Sequence, residues 1–572
     1  MHQLEQDMLA ELSGSGLMDY TRMASQGVRL SGSVDEKKVF VEIKKELDRI
    51  GFTTQLLDFP GYVSWPLESS VAVEGTGETI GPSITHAMAT STPEEGLVGE
   101  AVAVGGGGPE AYSGVNVRGK IAVVEGLGMD MPAIVARAEE HGCLATICIS
   151  SDNHLHQMVV STVWGNPTPE IVDLLPKTPT VTIHADAGKR LRALMAKGPL
   201  HLRLRTRVQT GWKDLPLLVA DMAAPVNCEH FVLVSGHVDC WFYGAMDNAA
   251  ANATMLEVAR LLAKQRQYWQ RNLRLAFWSG HSHGRYAGST WYADHCWEDL
   301  YKHGVVHVNV ESTGGQGADD FTVARSMAET RALAAKVVEE ITGQQIVGQR
   351  VERAGDQSFW GVMPSLFMEV SLQSCDGGFG WWWHTEHDTI DKIDESSLVE
   401  DTKVYALALA RLMFAPVLPF NYVDVADEFL VLLQDLQGKA GDAFDLSPVL
   451  SKARSLKEKT LALHQVASCV AQAAESPVDP AAARVNECFR RLGCLLVPVN
   501  YSAVDAFDQS RAQPLSPIPV LQPVGELAKM EPQSHGFRML ETRLVRQRNR
   551  VCHALDQACQ VIEHTLMALP AR

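Results

Sequence analysis

The sequence predicts an α/β protein, a mixed, largely parallel sheet flanked by helices, carrying a β-rich insertion and a C-terminal helical domain. Three observations predict it. The string FVLVSGH at 231–237 is an apolar strand that leads through a Gly-containing loop into an amphipathic helical pattern over 248–265. From 71 to 204 the texture changes to short β-like runs separated by glycine turns. From 426 onward it changes again, to long helical patterns with few strand signals. The expected units are therefore 1–70 with 205–425, then 71–204, then 426–572.

Taken in order, residues 30–56 open with a serine-containing cap and continue as a helix with Val39, Ile43, Leu47 and Ile50 on one face, ending at Gly51. The insertion follows with VGEAVAVGGGG, VRGKIAVVEG, AEEHGCLATICIS and TPTVTIHADAGKRLRALM. Its GGGG at 105–108 is no phosphate loop, because neither a Lys-Ser/Thr pair nor a strand–GxGxxG–helix context surrounds it. After Trp212 the first sheet resumes and runs to about residue 418. Its strands alternate with amphipathic helices at 331–342 and 396–414, as parallel strands joined by helical crossovers require. The last region is read from LQDLQGKAG, VLSKARSLKEKTLALHQVASCVAQAA and MLETRLVRQRNRVCHALDQACQVIEHTL.

The chemistry gathers where strands end. His237 and Asp239 stand at the carboxyl end of the 231–237 strand, where open α/β sheets bind ligands, and Asp247 follows the next loop. A histidine and carboxylates on one strand–loop–helix unit suit zinc or a similar divalent first-row metal. The string GHVDCWFYGAMDNAAANATMLEVARLL resembles the zinc-dependent M28-type peptidase family, in the branch of glutamate carboxypeptidase II and the transferrin receptor. That resemblance implies a zinc aminopeptidase-like fold. It also implies that His237 binds one metal, that Asp247 bridges two, that Asp239 supports the site, and that the Asp247–Asn248 peptide is cis. WWWHTEHDTIDKID similarly puts His384 in the place of the last ligand with Asp388 after it, and VVHVNVESTGG puts Glu311 where the family usually has Asp. The 71–204 insertion resembles a protease-associated domain, and 426–569 the helical domain through which that branch dimerises.

The departure from the family is as informative as the match. Its peptidases carry a Glu-Glu pair in a string like WDAEEFGLLGS, the first Glu a general base and the second a metal ligand. This chain reads LAFWSGHSHGRYAGSTWY. Aligned from Trp278, His281 takes the base position and Ser282 the ligand position, with one extra residue before Gly288. Serine serves neither role well, whereas His281 or His283 can act as ligand or base. If His281 is a ligand, beside Asp247 and His384, then Glu386 or His387 is left to assist; if it is the base, the site holds one metal. Trp383, in the tryptophan run before His384, is a candidate wall for substrate.

Composition bounds the rest. The 572 residues are 46% hydrophobic, enough for several cores, and no apolar run is long enough to span a bilayer. The net charge of −18 argues against nucleic acid or an anionic membrane as partner. The start, MHQLEQDMLAELSGSG, shows no signal peptide, and eleven cysteines without a CxxC pair suit a reducing, cytoplasmic setting. The expectation is a metal-dependent hydrolase of a peptide or small amide bond, with one or two zinc ions, acting as a homodimer. The alternatives are the same fold acting on a small non-peptide substrate, and a non-catalytic receptor-like protein.

Overall fold

The computed structural model describes residues 2–126, 128, 130–375 and 378–569. The helix expected within 30–56 spans Val34–Ile50. Ser33 accepts the Glu36 N–H at its start, and Gly51, at φ 107°, ends it. Its buried residues Val39, Phe40, Ile43 and Leu47 lie on the central sheet.

In that sheet Ser365–Leu366, Gly304–Asn309, Phe231–His237 and Asn272–Trp278 are neighbours in this order and parallel to one another. Every residue of Phe231–His237 is buried, as a strand covered on both faces requires. The carboxyl ends of these strands therefore meet on one rim.

His201–Met222 joins the sheet antiparallel to Asn272–Trp278 and also pairs with Thr53–Val73, from Thr53 opposite Asp221 to Val73 opposite Leu202. The far end of this ribbon pairs with Leu97–Ala103. From there the parallel strands Ile121–Glu125, Ala145–Ile149 and Thr180–Ile183 build the insertion, with Ser83–Thr85 antiparallel at its edge. The divisions expected at 70/71 and 204/205 thus fall inside two continuous strands. Burial along one of them records the change of surroundings, since Leu202, Leu204 and Thr206 are buried alternately whereas Leu215–Ala220 are buried without interruption.

The helix expected from 248 starts later, as Ala251–Lys264. Ala245–Ala250 forms a wide turn instead, in which Asp247 and Asn248 leave helical angles, and the peptide between them is cis. Beyond Glu395–Phe414 the long helices are Tyr422–Ala440, Ser447–Ala473, Pro480–Tyr501 and His535–Ala568. Their apolar faces share one core with the central sheet, so the helical region is welded on through packing. No described helix is long and apolar enough to cross a membrane.

Candidate metal centre

His237 ends its strand with its ring fixed by one bond. Nδ1 donates to the Asp239 carbonyl at 2.7 Å, which leaves Nε2 as the nitrogen that points away. Nε2 then lies 2.9 Å from Glu311 Oε1 and 3.0 Å from Asp247 Oδ1, and Asp247 Oδ2 lies 3.0 Å from His384 Nε2. Asp247 Oδ1 is buried and makes no hydrogen bond despite that closeness. A lone pair facing two carboxylates at such distances is repulsive unless a cation lies among them. Burial alone would push the His237 imidazole down, but Glu311 and Asp247 outweigh it and hold it well above its ordinary range, so without metal a proton takes that place. The donors present, one imidazole and two carboxylates with a second imidazole behind, fit zinc or another first-row divalent ion.

Several groups that sequence reasoning missed hold this arrangement. Arg29, fully buried, donates to the carbonyls of Val238, Tyr243 and Gly244 and so clamps the loop between His237 and Asp247. Gly244 is left-handed at φ 50°, and a Cβ there would meet the Asp247 carbonyl at 2.3 Å, so no other residue fits. Asn248 bonds the Val310 carbonyl and the Ser312 N–H, and Asn252 the carbonyls of His237 and Asn248, which ties Asp247 to both strands. Asp388, predicted near the site, accepts the N–H groups of Met246 and Asp247 at 2.9 and 3.1 Å. Burial, with the Asp247 charge adding to it, pushes its carboxyl up to about 7.

The altered loop is organised by Asp239, which is fully buried. It accepts the N–H of Ser282 at 2.9 Å, the N–H of His281 at 3.2 Å and the Ser31 hydroxyl at 2.7 Å. Asp239 therefore acts on the loop backbone and does not reach the cleft as a catalytic group. His281 Nδ1 is 2.8 Å from Asp356 Oδ2, a partner no motif announced, and Asp356 also accepts from the Ser289 hydroxyl at 2.6 Å. The His281 ring stacks on His237, centroids 3.6 Å apart and planes 13° apart. The expected grouping of His281 with His384 is thus corrected: its donor atom lies within 4.8 Å of those of His237 and Glu311 instead. Distance alone would make it a ligand there. Direction argues otherwise, because lone pairs on nearly parallel rings run side by side and do not converge on one ion.

Ser282 and Trp383 line the cleft, and Trp383 stacks on His384 at 3.5 Å. His283 supports the site from behind rather than as ligand or base, and the expectation that Glu386 or His387 assists is corrected. His283 is fully buried behind the site, with Nδ1 2.9 Å from the Ser31 hydroxyl and its ring against Trp241. Glu386 and His387 are exposed, their side chains 74% and 51% accessible, and His387 packs on Trp381 at the rim. The insertion closes one side: the Gln157 N–H bonds the His384 carbonyl, and Met158 and Val159 line the same cleft as Asp247, His281, Glu311 and His384.

Residues 218–409 match the profile of Peptidase family M28. The chain is 23% identical over 486 residues to a Zea mays protein named Probable glutamate carboxypeptidase VP8, covering 70% of this chain and 67% of that one. It is 24% identical over 301 residues to Carboxypeptidase Q of Homo sapiens, covering 48% and 61%. Among solved structures, the zinc aminopeptidase of Bacillus subtilis superposes with a TM-score of 0.55 at 18% identity, over 70% of this chain and 95% of that one. A peptidase M28 precursor from Shewanella amazonensis gives 0.57 at 19% identity, over 72% and 95%. These two share the fold.

Proposed function

We propose that this chain, whose residues 218–409 match the profile of Peptidase family M28, is a hydrolase that cleaves a peptide or small amide bond at one metal ion held by His237, Asp247 and Glu311. The observation that carries this is the approach of His237 Nε2 to two carboxylate oxygens within 3.0 Å. When bound, zinc would supply a Lewis acid that polarises the scissile carbonyl and acidifies water. The protein's own part is proton handling. Asp356 keeps Nδ1 of His281 protonated, so Nε2 takes the proton of the attacking water and passes it to the leaving nitrogen. Asp356 then balances the imidazolium, as the carboxylate of a His–Asp pair does. His384 with Asp247 alone makes a poorer second set, which supports a single ion.

The cleft, with Met158, Val159, Trp241 and Phe379 in its lining beside the polar groups, supports a small peptide or amide as substrate. Two copies joined through 426–569 is part of the same reading, supported by exposed Val431, Met539 and Met567 on those helices; a monomer in light scattering at micromolar concentration excludes it. Eleven free cysteines support a reducing, cytoplasmic setting. The test of the central claim is metal content with turnover. Purified protein should hold one zinc per chain and hydrolyse short acyl amides, and activity that survives full chelation refutes it.

A further inference from the structure

Arg285 lies in the altered loop and lines the cleft with Asp247, His281 and His384. It is the only arginine or lysine among the described lining residues. The residue is 5% exposed, its Nε is buried without a hydrogen-bond partner, and it makes no ion pair among the described residues. Its backbone is left-handed at φ 48°, and its carbonyl accepts the Gly165 N–H at 2.7 Å, so it is fixed by its main chain while its head group stays uncommitted. The nearest ring, that of Tyr286, is 5.3 Å from the guanidinium carbon. A guanidinium that reaches the cleft with its Nε buried and unpaired, and with no ion-pair partner among the described residues, marks a place where a counter-charge arrives.

The acids of the cleft do not supply it. Asp247 is engaged with His237 and His384, Glu311 with His237, and Glu369 with Arg325 at 3.3 Å. We propose that Arg285 is a substrate anchor that takes a carboxylate in a bidentate pair, so that the cleft selects small amides or peptides carrying a carboxylate. This rests on the hydrolase reading. Met158, Val159 and Phe379 form an apolar wall for the remainder of the ligand.

Three near-isosteric ligands test it by calorimetry on chelator-treated protein, where no metal can take the carboxylate. N-acetyl-L-glutamine carries only an α-carboxylate, N-acetyl-L-glutamate α-amide only a side-chain carboxylate, and N-acetyl-L-glutamine amide neither. Wild type should bind at least one carboxylate at least tenfold more tightly than the neutral amide, and which one identifies the source. Arg285→Gln should bind all three alike while melting no lower than wild type, since it loses an unpaired buried charge; Arg285→Lys should keep part of the preference. Equal or undetectable binding of the three ligands by wild type, or a preference that survives in Arg285→Gln, overturns the proposal. If Arg285→Gln does not fold, an undiminished preference in Arg285→Lys overturns it. Binding is read without turnover, so failure to hydrolyse any amide when zinc-loaded counts against the hydrolase reading alone.

Discussion

His281 and Asp356 are 75 residues apart in the chain and 2.8 Å apart in space, and their pairing decides what the loss of the usual Glu-Glu pair means chemically. If Asp356 sets the tautomer of a base, Asp356→Asn should lower kcat by about 10²–10⁴-fold with zinc content and KM near wild type. Loss of zinc in that variant would make His281 a ligand instead, and unchanged kcat would remove the pair from the mechanism. His237→Ala should lose zinc altogether, by more than the roughly 10–100-fold that removing a ligand's supporting partner costs. His384→Ala should lose less, because His384 touches Asp247 alone and not the full donor set. Zinc content by elemental analysis ranks the two, and the reverse order would mean that the ion sits at the His384 side.

At the scale of elements, the strand ends and turns are held by buried acids. Asp388 caps the turn before Ala251–Lys264, and Asp388→Ala leaves two buried N–H groups unsatisfied, a loss of about 2–4 kcal/mol. Chemical denaturation of the metal-free protein should show it, and an unchanged midpoint would mean that water replaces the carboxyl. Asp401, fully buried in Glu395–Phe414, accepts the Gly314 N–H at 2.7 Å, and burial pushes its carboxyl up to about 7. Its folded-state pKa exceeds the unfolded one of about 3.9, so the folded state binds the proton more tightly. The stability this confers is fully present below pH 4 and is lost as pH rises through 7. Asp401→Asn should therefore gain on wild type between those limits, by up to about 1.4 kcal/mol per pH unit, and level off above. A difference that does not change with pH would show that Asp401 stays ionised.

Across the whole molecule, Arg353 joins three parts of the chain near the site. It donates to the carbonyls of Gln357 and Ser510 and to Gln509 Oε1, and it lies 3.6 Å over the Trp164 ring of the insertion. Trp164 Nε1 in turn donates to Ser358, beside Asp356. Arg353→Met should cost about 3 kcal/mol or more, since buried carbonyls lose a charged donor. It should also lower kcat, because the segment that presents Asp356 loosens. A variant as stable as wild type with reduced kcat would separate the two effects, and full activity with lost stability would detach this joint from the site.

Periodicity made the architecture legible, because a buried strand must be apolar, while the resemblance to a peptidase family, and not spacing alone, singled out His237, Asp247, Glu311 and His384, which the structure brings near one another. Local patterning also located the helix after Gly244, though not its delayed start, since the turn at Asp247 is set by Asn248, Asn252 and Asp388 bonding across to other elements. What only the tertiary structure decided is which polar groups face one another. Asp356 and Arg353 sit in a segment with little regular structure, and Arg29 reads as an ordinary charged residue. The Arg285 side chain becomes distinctive only once burial has removed its partners. Spacing along a strand or helix fixes which residues share a face, but the meeting of His281 with Asp356, and of the insertion with His384, depends on where separate elements dock, and that is a property of the packed core and not of any local stretch.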